Sequence, residues 1–177
     1  MIPLIVDLDR TLINTDLLYE SSKGVLESRP WLILLFPIWF AQGKGYLKEQ
    51  LVKRFDIDVS KLPYNQTTID YIKKRKKQGD TIILATASHK LYALAIAKHL
   101  KLFNDVMASN KSFNLSSHNK ANRLIARFGN KGFDYMGDHN RDIPVWEASN
   151  LAILTNVSEA LIKKTQHLNC LVLSKKD

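Results

Sequence analysis

The chain has 177 residues, 45% hydrophobic and 24% charged, proportions near the average of globular proteins, which excludes a disordered or collagen-like polypeptide. Lys and Arg number 26 against 17 Asp and Glu, a formal charge of +9 that points to some anionic partner without naming it. The length suits one core domain with a small insertion, and the single cysteine, Cys170, excludes a disulfide framework and fits a reducing compartment. No basic region followed by a long apolar stretch opens the chain, so the cytoplasm is the expected location.

In chain order, Ile2 to Leu8 reads as a buried strand rich in Ile, Val and Leu. Helical patterns follow at about 16–26, 31–42, 46–55 and 68–78, the last ending at Gly79 as a helix-terminating glycine would. Thr81 to Thr86 is a second strand, Lys90 to Leu100 a helix, and Asp105 to Ser109 a third strand. Ala121, Leu124, Ile125 and Phe128 then place four apolar side chains on one helix face. Strands at Phe133 to Gly137, Leu151 to Thr155 and Cys170 to Ser174 alternate with helices at Arg141 to Ala148 and Ser158 to Gln166; Cys170 is expected to be buried and inert. This alternation predicts an α/β fold, a Rossmann-like three-layer parallel sheet.

One crossover is too long. About 70 residues separate Thr11 from Thr81, where a strand–helix–strand unit needs about 30. The surplus is read as a small helical cap, residues 15–66, inserted after the first strand of a core made of 1–14 and 67–177. Its apolar run Trp31 to Phe40 has ten residues, against the roughly 20 of a spanning helix, and Pro37 interrupts it. Two readings of that run stay open: burial within the cap, or an interfacial surface, since Arg29 precedes it and Lys44 and Lys48 follow. The basic run Lys73 to Lys77 reads as a solvated helix end with cations complementing the helix dipole. With no zinc-finger spacing or ribonucleoprotein motif, nucleic acid is not an expected partner.

In an open parallel sheet the ligand crevice lies beyond the carboxyl ends of the strands. There the sequence places Asp7-Leu8-Asp9-Arg10-Thr11, then Thr86-Ala87-Ser88, then Lys120 on a helix, and finally Gly137-Asp138-His139-Asn140-Arg141-Asp142. Singly, each has an ordinary reading as a helix cap, a strand-end acceptor or a surface cation. Jointly they gather up to four carboxylates at one sheet edge, whose repulsion requires a cation. Lys120 and a divalent metal meet that need, and oxygen-only donors favour Mg²⁺.

These residues resemble the four motifs of the haloacid dehalogenase superfamily of phosphotransferases, in order and across nearly the whole chain. The Asp-x-Asp-x-Thr motif matches Asp7, Asp9 and Thr11; the strand ending in Thr matches Ile82 to Thr86; the lysine matches Lys120; Gly-Asp-x-x-x-Asp matches Gly137, Asp138 and Asp142. Arg10 departs from the glycine most common there, which puts the turn geometry in question. A narrower resemblance, carried by Leu62-Pro63-Tyr64-Asn65, Leu84 to Ser88, Ala108-Ser109 with Asn114-Leu115, and Phe133 to Asp138 with Asp142 to Trp146, is to the phosphatase-like domain often fused ahead of UbiA-type membrane prenyltransferases.

The resemblance implies a Mg²⁺-dependent phosphate monoester hydrolase working through an aspartyl-phosphate. Asp7 is the implied nucleophile and Asp9 the acid and base, with Lys120 also catalytic. Asp7, Asp138 and the main-chain carbonyl of Asp9 hold the metal, Thr86 and Lys120 hold phosphate, and Asp142 and Thr11 stand behind them. Arg10, Arg29, Trp31 and Trp39 are candidate substrate contacts, and the substrate is expected to be a small-molecule or lipid phosphate, amphiphilic or isoprenoid-linked. An anionic membrane surface is a candidate partner. His139 and Arg141 carry no assigned role. The alternatives are an idle membrane-docking or partner-binding module with the same fold, and a receiver-type domain, disfavoured because Ala108-Ser109-Asn110 offers no aspartate after the third strand.

Overall fold

The computed structural model describes residues 2–173. Ser174, placed by the sequence reading at the end of the sixth strand, lies outside them, as do residue 1 and residues 175–177 of the predicted core. Six strands, β1 (Leu4–Val6), β2 (Ile82–His89), β3 (Asp105–Ser109), β4 (Asp134–Gly137), β5 (Ala152–Thr155) and β6 (Cys170–Leu173), form one sheet in the order β3-β2-β1-β4-β5-β6. Every pairing is parallel.

Strict alternation along the strands divides the core into two layers, because successive side chains point to opposite faces. Leu4, Val6, Ile82, Leu84, Met136 and Ile153 face one way. They pack under α4 (Gln66–Lys77) and α5 (Lys90–Leu100) through Ile69, Ile72, Tyr92 and Ile96. Ile5, Ile83, Ala85, Tyr135, Ala152 and Leu154 face the other way, under α6 (Ser117–Phe128), α7 (Ile143–Ala148) and α8 (Glu159–Thr165). The result is the expected three-layer α/β architecture.

Between β1 and α4 the chain forms α1 (Leu17–Ser28), a 3-10 turn at Pro30–Leu35, α2 (Phe36–Ala41) and α3 (Lys44–Val52). The single helix expected over 31–42 is two pieces, each with a proline in its first turn, where the missing N–H leaves no bond unmade. These pieces have a small apolar centre of their own, Val25, Leu32, Trp39, Leu47 and Leu51. Ile57 and Leu62 already belong to the main core, so the cap's own packing ends before the predicted boundary at 66.

Other expectations shift in detail. Cys170 is only partly buried, because β6 is an edge strand with Leu171 and Val172 exposed. The basic run is not uniformly solvated. Arg75 is turned inward to Asp80 and Asp134, and Lys76 Nζ donates to the Lys101 and Leu102 carbonyls, both at 2.9 Å, at the end of α5. Gly79, at φ +90°, ends α4 in a conformation that L-residues adopt at a cost.

Candidate active site

Sequence connectivity reverses direction at β1: the chain fills the sheet outward to β3, then returns to lay β4 on the other side. Beyond the carboxyl ends of β1 and β4 a crevice must form. Val6 is in register with Met136, so Asp7 and Asp138 leave neighbouring strands side by side, and the Asp7 N–H donates to the Met136 carbonyl at 2.9 Å. On the other side Val6 is level with Leu84, which brings buried Thr86 to the same rim.

Carboxylate oxygens of Asp7, Asp138 and Asp142 lie within 4.8 Å of one another. Lys120, from the first turns of α6, enters this group fully buried, 2.7 Å from Asp7 Oδ1 and 3.9 Å from Asp142 Oδ1. Burial alone lowers the proton affinity of Lys120, but Asp7 and Asp142 more than offset it and hold the ammonium charged. Asp7 is pushed up to about 8, chiefly by burial, with Asp142 and Asp9 adding to it and Lys120 opposing. Asp138 is pushed up to about 7 by burial and by Asp142, against the Thr11 hydroxyl, which donates to Asp138 Oδ1 at 3.2 Å. Three acids thus share too little positive charge.

Asp142 is fixed by three donors. Its Oδ1 accepts from the Tyr135 hydroxyl at 2.7 Å, and its Oδ2 accepts from the backbone N–H groups of Asp138 at 3.2 Å and His139 at 3.1 Å. The tuck depends on Gly137, where a Cβ would stand 2.7 Å from Asp142 Oδ2. With these bonds made, Asp142 holds the 138–139 backbone and lies 3.9 Å from Lys120 Nζ. The stretch expected as one helix from Arg141 is a 3-10 turn, Asn140–Asp142, leading into α7, and His139 caps it.

The side chain of Asp9 stands apart from the three-acid cluster. Its Oδ1 accepts from the Leu17 N–H at 2.8 Å, satisfying one of the free donors at the start of α1, and its Oδ2 accepts from the Ser88 hydroxyl at 2.6 Å. Burial, then Asp16, raises its proton affinity, while Ser88, Leu17 and Lys48 oppose. Ser88 also donates its backbone N–H to Thr86 Oγ1 at 2.9 Å. The Thr11 carbonyl receives Thr68 Oγ1 at 3.0 Å and Asn65 Nδ2 at 3.2 Å, which ties the first loop to α4.

Beside the cluster opens a cleft of about 1120 Å³, lined among others by Arg10, Tyr19, Asp138, His139, Asn156 and Leu161. Arg10 adopts φ +61°, the left-handed conformation a glycine takes most easily, so the turn accommodates the departure noted in the sequence. The other three candidate substrate contacts do not line this cleft. Trp39, 5% exposed, packs in the cap centre beneath the Arg54 guanidinium. Arg29 and Trp31 are exposed on the cap surface.

Lys48 behaves differently from its reading as a flank of the apolar run. It turns inward, its Nζ donating to the Ala87 carbonyl at 2.5 Å between Thr86 and Ser88. Tyr135 carries no role in the sequence reading, because an aromatic in a strand ordinarily signals packing; the structure puts its hydroxyl between Lys120 and Asp142. Ser88 lies two residues after Thr86 in the last residues of β2, where the pairing with β3 shifts register.

No family model matches the chain. It is 37% identical over 154 residues to y4nM, an uncharacterised protein of Sinorhizobium fredii, a match that covers 86% of this chain and 30% of that protein. The chain therefore spans under a third of that relative's length. Among solved structures, a protein of unknown function from Bordetella pertussis superposes with a TM-score of 0.72 at 18% identity, covering 97% of each chain. A phosphoserine phosphatase solved as a phospho-aspartyl intermediate analogue superposes with a TM-score of 0.67 at 16% identity, covering 99% of this chain and 95% of the other. With its all-parallel six-stranded sheet and helical insertion after β1, the chain has the three-layer fold of the haloacid dehalogenase superfamily.

Proposed function

We propose that this chain is a Mg²⁺-dependent phosphate monoester hydrolase that works through an aspartyl-phosphate on Asp7. The observation that carries the reading is the buried contact of Lys120 with Asp7 inside the Asp7, Asp138, Asp142 cluster. A purely structural core has no use for three clustered acids, two of which, Asp7 and Asp138, have their proton affinities raised by burial and then by neighbouring carboxylates. The donor set is all oxygen, which fits a hard divalent cation, with Asp7, Asp138 and the Asp9 carbonyl as its ligands. Bound there, Mg²⁺ supplies charge neutralisation to the phosphoryl oxygens and lets the carboxylate of Asp7 approach an anion.

Asp7 attacks phosphorus as the ester oxygen departs. Lys120 and Thr86 offset the charge on the transferred group in this reading. Asp9, held by Ser88 and Leu17 with its proton affinity raised, gives its proton to the departing oxygen and then takes one from the water that cleaves the aspartyl-phosphate. The likeness in fold to a phosphoserine phosphatase solved as a phospho-aspartyl intermediate analogue supports the aspartyl-phosphate reading.

For substrate, we infer an amphiphilic phosphate, of which isoprenoid-linked phosphates are one class. The cleft combines Arg10 and His139 near Asp138 with the apolar surfaces of Leu18, Tyr19 and Leu161. The match to 30% of y4nM is in keeping with a module that also occurs joined to further sequence, as in the prenyltransferase fusions its motifs resemble. The test is turnover with Mg²⁺ across sugar, nucleotide, amino-acid and isoprenoid phosphates, beside a generic aryl phosphate. Asp7→Asn is expected to abolish turnover, and Asp9→Asn to slow both formation and breakdown of the intermediate. Full activity of purified Asp7→Asn would overturn the mechanism.

A further inference from the structure

The ten residues from Trp31 to Phe40 are apolar throughout, yet only Leu32 and Trp39 are buried in the cap centre. Trp31, Ile33, Leu34, Leu35, Ile38 and Phe40 are exposed, by 36% to 76% of their surface. Six exposed large apolar side chains fall within one ten-residue segment, a concentration of the kind that protein surfaces carry where they meet a partner. None of the six lines the cleft beside Asp138.

The electrostatics of the same segment select among partners. From Ser28 to Lys48 there is no aspartate or glutamate. Arg29 stands exposed before the segment and Lys44 after it. Lys44 is the first residue of α3, with no acidic residue in that first turn and no side-chain cap. A cation at a helix N-terminus opposes the helix dipole, so helix stability does not account for it. Two copies of this chain meeting face to face about a two-fold axis would bring like-charged rims together. A surface that is apolar below and anionic above meets both requirements at once.

We propose that the cap face formed by Pro30–Leu35 and α2 docks on the surface of an anionic lipid bilayer, its apolar side chains entering the interface and Arg29 and Lys44 pairing with lipid phosphates. No helix among the described residues is long and apolar enough to cross a membrane, so the contact is peripheral. It stands independently of the reaction at Asp7.

Vesicle flotation tests the proposal, with phosphatidylcholine alone against equal parts phosphatidylcholine and phosphatidylglycerol. At low salt the chain should float with the anionic vesicles and largely stay behind with the neutral ones. Leu34 is 76% exposed, so Leu34→Asp should leave the circular dichroism spectrum and aryl phosphate turnover unchanged while removing flotation. Each cation near an anionic surface is worth roughly fivefold in partitioning, so the Arg29→Gln, Lys44→Gln double variant should partition roughly 25-fold less. The idea is overturned if the wild type fails to float at low salt, or if Leu34→Asp floats equally well. It is overturned in favour of self-association if light scattering shows a dimer that Leu34→Asp dissolves while vesicles bind neither form.

Discussion

The Tyr135 hydroxyl and the Asp142 carboxylate share a buried hydrogen bond of 2.7 Å, and the same hydroxyl accepts from Lys120 Nζ at 2.8 Å. One oxygen thus links the lysine to the acid that also holds the backbone of Asp138 and His139. Tyr135→Phe keeps the ring and its packing but removes both bonds. Asp142 Oδ1 then loses its donor in a buried place, which costs about 1–3 kcal/mol. The variant should unfold at lower urea and show reduced kcat with KM little changed, since Lys120 is free to swing from Asp7 while the cleft is untouched. Equal kcat would show that Lys120 is positioned without the tyrosine.

Crowded acids make the metal-free chain sensitive to pH. Asp138 at about 7 and Asp7 at about 8 both lie above the ordinary value of 3.8, so the folded state binds their protons more tightly than the unfolded state does. Stability from this source is therefore greatest below about pH 4 and falls as pH rises through about 7 to 8, the opposite of a salt-bridged carboxylate. Mg²⁺ needs the ionised acids and should reverse the loss. Thermal midpoints with and without Mg²⁺ are expected to differ little at pH 5.5 and clearly at pH 8, and Asp138→Asn should flatten both the pH dependence and the response to Mg²⁺.

The strands were legible in the sequence because a sheet covered on both faces demands unbroken runs such as Ile82 to Thr86, and the insertion was legible from the excess length after Thr11. Sequence could not tell that β6 is an edge strand, since Cys170 to Leu173 is as apolar as the central strands and only the spatial order exposes it. The acids at strand ends were legible because repulsion makes clustered carboxylates conspicuous. Tyr135 was not, because an aromatic in a strand ordinarily signals packing, and its hydroxyl matters only where Lys120 and Asp142 converge. Trp39 and Trp31 look alike in the apolar run, but they fall in different helical pieces, and only Trp39 reaches the cap centre while Trp31 is 66% exposed.

Arg10 separates backbone strain from charge. Its φ of +61° costs a residue with a Cβ about 1 kcal/mol, and its N–H and carbonyl are both bonded, to the Thr15 carbonyl and to Asn156 Nδ2. Arg10→Gly relieves that strain and Arg10→Ala does not, so urea denaturation should find the glycine variant the more stable of the two by about 1 kcal/mol. Both variants lose the same cation at the cleft. Their KM values for a phosphate ester should rise together, and a rise in only one of them would mean that the turn, not the guanidinium, governs binding.

Lys48 is one of the groups that join the cap to the core, beside the Tyr92 hydroxyl on the Phe55 carbonyl. Burial lowers the proton affinity of Lys48, with Asp9 and Asp16 opposing, and its bond to the Ala87 carbonyl joins α3 to the end of β2, which holds both Thr86 and Ser88. Lys48→Met preserves the aliphatic stem and its packing while removing the ammonium. A hydrogen bond from a charged donor contributes about 1.5–3 kcal/mol, enough to shift the balance between a docked and a loosened cap by roughly tenfold or more. Because Ser88 in turn positions Asp9, loosening should raise KM and slow protonation of the leaving oxygen together. An ester with a strongly acidic leaving group needs little protonation, so its kcat should fall less than that of an alkyl phosphate. Limited proteolysis should cut the cap of Lys48→Met faster than that of the wild type, and unchanged cleavage would mean that the apolar contacts of Val52 and Phe55 with the main core hold the cap without the lysine.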